Sequence, residues 1–463
     1  MVIAGGERMP LLLGLDVGST FVKAVVFDRS GRALAAATRG VPVRWPQPDR
    51  VERDAHATWR AAADVVRRAA AGREIAAVGV TGCGNGAVFV DARLRPLAPG
   101  ILSSDGRASK FVQPKRWACQ AAYAGQTASL LRWLRSEAPA IAKQLAHVLP
   151  WKDFIRARLT GVVATDPTDA GAAGWLDPVT RKLRAVDPAI PPLRESLAEA
   201  GRVTAAAARV TGLRTGTPVF MGCIDCEAAA IGSGVNAPGE LSVVAGTWSI
   251  NQSYSFAPPL TTASRDRFLN IPSAHPGRWL MLEGSPTSAA NLDWVARAFG
   301  GDAAGALRLA ERTRRTRLLF VPRVLSGAGA FHALGATHGR GEFFRAVIEG
   351  VVFAHRTHVE KLLGAGRAPT SVRLAGGIAR SDFCAQLFAD ALGRTVEVPA
   401  GEEIGALGAA LCAGVGAGLW PNLCAAQRAT VRVDRIFEPD SARVAELSHD
   451  YQRFLKIWTQ SPP

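Results

Sequence analysis

Residues 11–28 read LLLGLDVGSTFVKAVVFD, and the way this stretch folds decides the architecture. An apolar run, LLLGLD, meets the small-residue turn VGST and is followed by a second apolar run, FVKAVVFD. RSGR then supplies another turn before ALAAATRG. Short runs rich in Val, Leu, Phe and Ala that are bounded by Gly, Ser and Thr read as strands joined by tight turns. The segment is therefore a β-meander. A helical pattern N-capped by Asp54 follows over residues 54–71, and a strand is expected at 75–80. Meander, helix and strand in that order imply a layered α/β domain.

The same order returns further along. Residues 232–240, GSGVNAPGE, have the Gly and Pro content of a boundary, and a new strand pair, LSVVAGTWS and INQSYSF, comes next. Helices follow, the longest at 342–363, then a strand at 372–375, the AGG turn, a helix from Ser381 and a strand at 395–398. The halves share a plan, not a detectable sequence repeat. Residues 111–210 read as helix and Pro-punctuated loop, as suits an insertion that shapes a substrate pocket.

At 463 residues the chain exceeds what a single core usually organises. The expected division is 10–235, 236–430 and a helical extension over 431–463, with a cleft between the two domains. Hydrophobic residues at 48% and charged residues at 20% describe a globular protein, not a disordered or fibrous one. No apolar run approaches the ~18 to 20 residues of a membrane span, and no signal-like start is present, so the expected compartment is the cytoplasm. Met9 is an alternative start.

A net charge of +16 raises the question of nucleic acid. The arginines are scattered, however, and only Arg312, Arg314, Arg315 and Arg317 cluster, as a solvated helix end would. Seven cysteines without an export signal predict reduced thiols. The pair Cys223 and Cys226 makes one CxxC, which lacks the four ligands of a zinc site. His355 and His358 stand one helical turn apart and read as packing residues, since no third ligand is near them in sequence.

Phosphate is held by converging backbone N–H groups, which small residues leave unshielded. Two turns have that composition: Asp16, Val17, Gly18, Ser19, Thr20, with Lys23 just beyond, and Ala245, Gly246, Thr247, Trp248. Asp16 can hold Mg²⁺ directly or through water. Either turn alone equally fits a β-turn that merely needs glycine. A pair of them, each heading one half of a repeated plan, points to a nucleotide clamped between domains.

Over nearly its full length the chain resembles the FGGY carbohydrate kinases. The motifs are GLDVGSTFVKAVVFD, LLRWL at 130–134, WKDFIRARLTG from Trp151, GCIDCEAAAIGSG from Gly222, AGTWS, RAVIEGVVFA from Arg345, LAGGIARSDFCAQLFADALG from Leu374 and EEIGALGAALCAG from Glu402. The resemblance implies two ribonuclease-H-like, actin-like ATPase domains, the first binding sugar and the second ATP with Mg²⁺. It makes Asp225, the aspartate of the GxxD motif, the catalytic base. Local sequence alone reads Asp225 as the N-cap of the helix that CEAAAIG begins.

The matching positions imply Gly18, Ser19, Thr20 and Lys23 near the transferred phosphate, Gly246 and Thr247 opposite, and Gly376 and Gly377 by ribose and α-phosphate. Ser381, Asp382 and Gln386 read as helix-cap and packing residues beside them. The implied sugar contacts are Thr81, Cys83, Gly84, Asn85, Asp105, Arg107 and Asp225. Cys83 replaces a common Gln and Ser104 a common aromatic, which bears on the substrate more than on the reaction. ILSSDGRA, SPTSAANLDW and EGVVFAHRTH look most like L-xylulose kinases, and the region FVKAVVFDRSGRALA is also similar to erythritol kinases.

A ketopentose is therefore the first expected substrate and a polyol the second. An actin-like ATPase or chaperone shares the fold and both turns, but leaves Asp105, Arg107 and the insertion without a role. The partner is expected to be a small sugar or polyol, with no nucleic acid and no membrane, and a homodimer is one permitted assembly.

Overall fold

The computed structural model describes residues 10–112, 122–184, 187–258, 269–324, 327–364 and 368–460. Met9 lies outside them. The chain forms two compact units. The first gathers the chain through Asn236 with Ser255–Leu280 and Glu403–Val431, and the second takes Ala237–Tyr254, Met281–Glu402 and the remainder from Arg432.

The first unit is built on the expected meander: β1 (Leu11–Val17), β2 (Phe21–Phe27) and β3 (Ala33–Gly40). Helix α1 (Ala55–Ala70) starts where Asp54 accepts a hydrogen bond from the Ala57 amide at 3.0 Å. Its stripe of Trp59, Ala62, Val65 and Val66 is buried against the sheet, each of the larger side chains contributing about 1.5–3 kcal/mol. Strand β4 (Ile75–Gly82) follows, then helices α2 (Trp151–Thr160) and α3 (Pro167–Ala172), strands β5 (Glu199–Arg202) and β6 (Pro218–Phe220), and helix α4 (Asp225–Gly232). The strands lie side by side as β5-β6-β4-β1-β2-β3. β1, β4 and β6 run parallel, β2 and β3 return antiparallel, and β5 closes the far edge antiparallel to β6.

The second unit repeats this order. β7 (Glu240–Ala245), β8 (Ser249–Ser255) and β9 (Trp279–Ser285) precede helix α5 (Arg340–Leu363), strand β10 (Ser371–Ala375), helix α6 (Asp382–Leu392) and strand β11 (Val396–Pro399). Helix α7 (Ile404–Gly416), strand β12 (Val433–Phe437) and helix α8 (Ser441–Gln460) complete the chain. Six strands of this seven-stranded sheet lie in the order β9-β8-β7-β10-β11-β12, which matches the first sheet, with β7, β10 and β11 parallel and β12 antiparallel at the edge; the seventh, Leu269–Pro272, adds beyond β9 and has no counterpart in the first sheet. The repeated plan read from the sequence is thus a repeat of topology.

Two boundaries differ from the sequence reading. Helix α7, assigned there to the second domain, packs in the first unit on β1, β4 and α4. Its small residues permit this: a Cβ on Gly14 would stand 1.9 Å from the Ala406 carbonyl oxygen, so strand and helix meet there only through glycine. The terminal helix α8 is part of the second core, where Tyr451 and Phe454 are buried with ring centroids 5.7 and 5.5 Å from Phe353. Arg315, from the basic cluster, is paired with Glu349 and Asp450 at 2.8 Å each, so it is not a free phosphate contact. Among the described residues no helix is long and apolar enough to cross a membrane.

Candidate active site

The segment 221–225 joins β6 to α4, and it is tied down at four points from separate parts of the chain. The Gly222 amide donates to the Ser196 carbonyl at 2.9 Å, Thr81 Oγ1 on β4 donates to the Cys223 carbonyl at 2.7 Å, and the Ile224 amide donates to Thr168 Oγ1 on α3 at 2.9 Å. Lys152 Nζ on α2 reaches the Met221 carbonyl at 3.4 Å. These ties fix Asp225, which is the first residue of α4, with Ile224 and not Asp225 at the cap position. Its Oδ1 accepts from the Cys226 amide at 2.7 Å, and the Gly84 amide also donates to it. Burial, reinforced by the charge of Asp16, raises the Asp225 carboxyl to about 7 despite those amides.

Behind this segment lies a charged cluster without solvent contact. Lys152 Nζ stands 2.7 Å from Asp153, 3.0 Å from Asp166 and 3.1 Å from Asp169, and Arg156 also pairs with Asp153. Three carboxylates face two cations. Burial, opposed by Lys152 but assisted by Asp153 and Asp166, drives the Asp169 carboxyl well above its ordinary range. The acidic trio has the spacing of a cation site, and the ammonium of Lys152 supplies that cation. Asp166 also accepts from Thr168 Oγ1 at 2.8 Å, which connects the cluster to the Ile224 amide.

Asp16 is the penultimate residue of β1, register partner of Lys23 on β2 and of Thr81 on β4. Lys23 Nζ is paired with Glu403 at 2.8 Å, not extended alone toward the turn. Burial raises the Asp16 carboxyl to about 6, against the pull of Lys23 and with the help of Glu403, and its Oδ1 is buried without a hydrogen-bond partner. An orphaned, desolvated carboxylate oxygen suits a divalent cation, so the residues present fit Mg²⁺. The Gly18, Ser19, Thr20 turn is open, with Ser19 and Thr20 exposed, and Arg53 Nη1 donates to the Gly18 and Ser19 carbonyls at 2.5 and 3.0 Å.

The Cys83 amide donates to the Val17 carbonyl at 3.0 Å, which joins the 83–85 loop to β1. Burial pushes the Cys83 thiol up to about 12 against the charge of Arg53. Asn85, at φ 60°, accepts from the Thr127 amide at 3.4 Å. Tyr123, 36% exposed, lies close enough to Asp225 and Cys83 for their charges to act on its phenol, which places it in the same locality. Asp105 and Arg107 are occupied with one another at 2.8 Å, with the Val51 amide at 2.6 Å and with Glu52 at 2.7 Å. The structure therefore gathers Asp16, Thr81, Cys83, Gly84 and Asp225, whereas Asp105 and Arg107 spend their polar atoms bracing the strand Arg50–Arg53.

In the second unit the two glycine turns meet. A Cβ on Gly376, whose φ is +94°, would lie 2.6 Å from the Ala245 carbonyl and 3.0 Å from the Gly246 amide nitrogen. Thr247, Gly376 and Gly377 are exposed. Ser381 caps α6 at Cys384, Asp382 pairs with Arg435 and Gln386 with Asp390, the cap and packing roles read from sequence. His355 and His358 are buried in a hydrogen-bonded set with Ser249 at 3.1 Å each and Asn251 at 2.8 and 3.1 Å. Both are held neutral by burial, and the set anchors the strand that leaves the Gly246 turn.

Family models for the N-terminal and C-terminal domains of the FGGY family of carbohydrate kinases match residues 11–232 and 241–417. The chain belongs to that family. It is a sugar kinase, with α/β units of the actin-like ATPase fold, and the reading as an ATPase without a sugar substrate is set aside. The chain is 31% identical to L-xylulose/3-keto-L-gulonate kinase of Escherichia coli (strain K12) over 96% of both chains. It is also 31% identical to a glycerol kinase of Gloeobacter violaceus, again over 96% of each. Among solved structures, a xyloylose kinase from Brucella ovis matches with TM-score 0.88 at 25% identity, covering 97% of this chain and 99% of that one.

Sequence reasoning passed over Arg53, Tyr123, Thr168 and the cluster at Lys152. The motif WKDFIRARLTG carried a signal, since three basic residues and an acid are interspersed with Phe, Ile and Leu on a short helix. Arg53 carried none: RVERD reads as a solvated charged turn.

Proposed function

We propose that this sugar kinase transfers the γ-phosphate of MgATP to a hydroxyl of a ketopentose, L-xylulose being the first candidate, with Asp225 as general base. The observation that carries the reading is the carboxyl at position 225, raised to about 7, held by the amides of Cys226 and Gly84 and backed by four separate ties on the preceding segment. A hydroxyl is too weakly acidic to attack unaided, and a base poised near neutrality accepts its proton as the loose phosphoryl transition state develops. Most of the acceleration comes from positioning and charge neutralisation.

On this reading Asp16 holds Mg²⁺, which neutralises charge on the phosphates when bound. The amides of the Gly18, Ser19, Thr20 turn face the transferred group, and Lys23 with Glu403 sets the local charge. Gly246, Thr247, Gly376 and Gly377 contact the rest of the nucleotide. Cys83, Gly84, Asn85 and Tyr123 line the sugar. Thr81, Asp105 and Arg107 act by holding that lining in place.

The ketopentose preference rests on the likeness to the E. coli relative and on the motifs it shares with L-xylulose kinases. A polyol such as erythritol or glycerol is the alternative, supported by the glycerol kinase at equal identity. A coupled ADP-release screen over pentuloses, hexuloses, tetritols and glycerol decides between them. The highest kcat/KM is expected for L-xylulose. Higher turnover of a tetritol would contradict the substrate, and ADP release independent of any acceptor would contradict the reaction.

A further inference from the structure

Arg53 has no solvent exposure, and its guanidinium is stacked 4.0 Å above the ring of Trp151. Trp151 is itself fully buried and pinned by its Nε1 donating to the Ile101 carbonyl at 3.0 Å. Among the described residues no carboxylate pairs with Arg53; its Nε and Nη2 are buried without an oxygen or nitrogen partner, and the group that faces its charge is the thiol of Cys83. A buried cation without an anion is costly, and it persists where something else depends on its charge.

The atoms it does bond are the carbonyl oxygens of Gly18 and Ser19. Peptide groups are planar and trans, so a carbonyl and the N–H that follows it point in opposite directions. With both carbonyls turned inward to Arg53, the N–H groups of Ser19 and Thr20 face outward, on the exposed side of the turn.

We propose that Arg53 is the positioning residue of the first phosphate turn: from beneath, it fixes two peptide planes so that two amides converge on the transferred phosphoryl group, and its uncompensated charge lies behind them. The guanidinium touches neither nucleotide nor sugar. Its flat fork holds both carbonyls and the indole face at once, which a lysine cannot reproduce. The inference rests on the reading of residues 18–20 as a phosphate turn.

The test compares Arg53→Met and Arg53→Lys with the parent chain, using L-xylulose and MgATP. Donors aimed at a developing charge act on the transition state, so kcat is expected to fall on the order of 100-fold in Arg53→Met while KM for MgATP stays within about threefold. Affinity for MgADP, which lacks the transferred phosphate, is expected to be unchanged by calorimetry. Arg53→Lys should recover part of the loss, and it serves alone if Arg53→Met does not fold.

A kcat near that of the parent in either variant overturns the proposal, as does a parallel loss of MgADP binding and thermal stability, which would mark Arg53 as a packing residue. Asp16→Asn is the control on the underlying reading. If it is inactive while Arg53→Met is active, only the inference about Arg53 fails. If Asp16→Asn is also active, the phosphate turn itself is misassigned.

Discussion

Replacing Glu227 by glutamine should alter the way stability depends on pH, and the direction follows from its surroundings. Glu227 sits on α4, two residues beyond Asp225, with no exposed surface. Its Oε1 accepts from Ser273 Oγ and from the Ala274 amide at 2.9 Å, and its Oε2 is buried without a partner. Burial raises its carboxyl from an ordinary 4.5 to about 8, the bonds from Ser273 and Ala274 opposing the rise only in part. Below pH 4.5 both folded and unfolded states carry the proton. As pH climbs, the unfolded chain ionises while the folded chain does not, so folding loses about 1.4 kcal/mol per pH unit until the folded carboxyl titrates.

Between about pH 5 and about pH 7.5 the loss comes to roughly 3 kcal/mol. Glutamine keeps the acceptor oxygen but buries an amide nitrogen, a cost of about 1–3 kcal/mol that does not vary with pH. The variant should therefore be less stable than the parent near pH 5, and the gap should close or reverse by pH 7.5. For a unit of this size the change in the difference is about 6 °C in midpoint, at about 2 °C per kcal/mol. Scanning calorimetry of both proteins in matched buffers reads it directly. A difference in midpoint that stays constant across this range would refute the reasoning, because it would mean that Glu227 is ionised in the fold.

Lys152→Met should be severely damaging, since it takes the ammonium away from three buried carboxyl groups and leaves only Asp153 with another cation, Arg156; a loss of about 3–5 kcal/mol is expected in urea unfolding, against a negligible effect for an exposed lysine. Thr168→Val, which removes the acceptor for the Ile224 amide and the donor to Asp166, should lower kcat more than it lowers the melting midpoint; equal changes in a surface Thr→Val control would count against a positioning role. Because Asp225 must be ionised to accept a proton and burial with Asp16 raises it to about 7, kcat/KM should climb about tenfold per unit below pH 7 and level off above. A flat profile through that range would exclude a base of this pKa. Chelation of Mg²⁺ should abolish transfer, and Asp16→Asn should raise the Mg²⁺ concentration needed for half-maximal rate; an unchanged requirement would remove Asp16 from the metal.

The meander, both glycine turns and the helix caps at Asp54 and Ser381 were legible because each is a local pattern: short apolar runs, turn residues and a cap three positions before its amide. Asp225 was legible through its motif, although its place one residue past the cap depended on the tertiary ties to Thr81 and Thr168. What the sequence could not convey is long-range. Helix α7 is uniformly small and apolar, and nothing local indicates that it packs on Gly14 some four hundred positions earlier. The inward turn of Arg53 and Lys152 runs against the ordinary expectation that such side chains are solvated, and it becomes visible only when Trp151, Asp166 and the turn carbonyls are assembled around them.

The central claim is that the carboxylate at 225 takes the proton of the acceptor hydroxyl. It is tested most directly by measuring ADP formation by Asp225→Asn with saturating MgATP and the best acceptor, alongside calorimetric binding of MgATP. The account predicts a fall in kcat of about 10² to 10⁴-fold with nucleotide affinity retained. Turnover comparable to that of the parent chain, with the same acceptor and at the same pH, would contradict it.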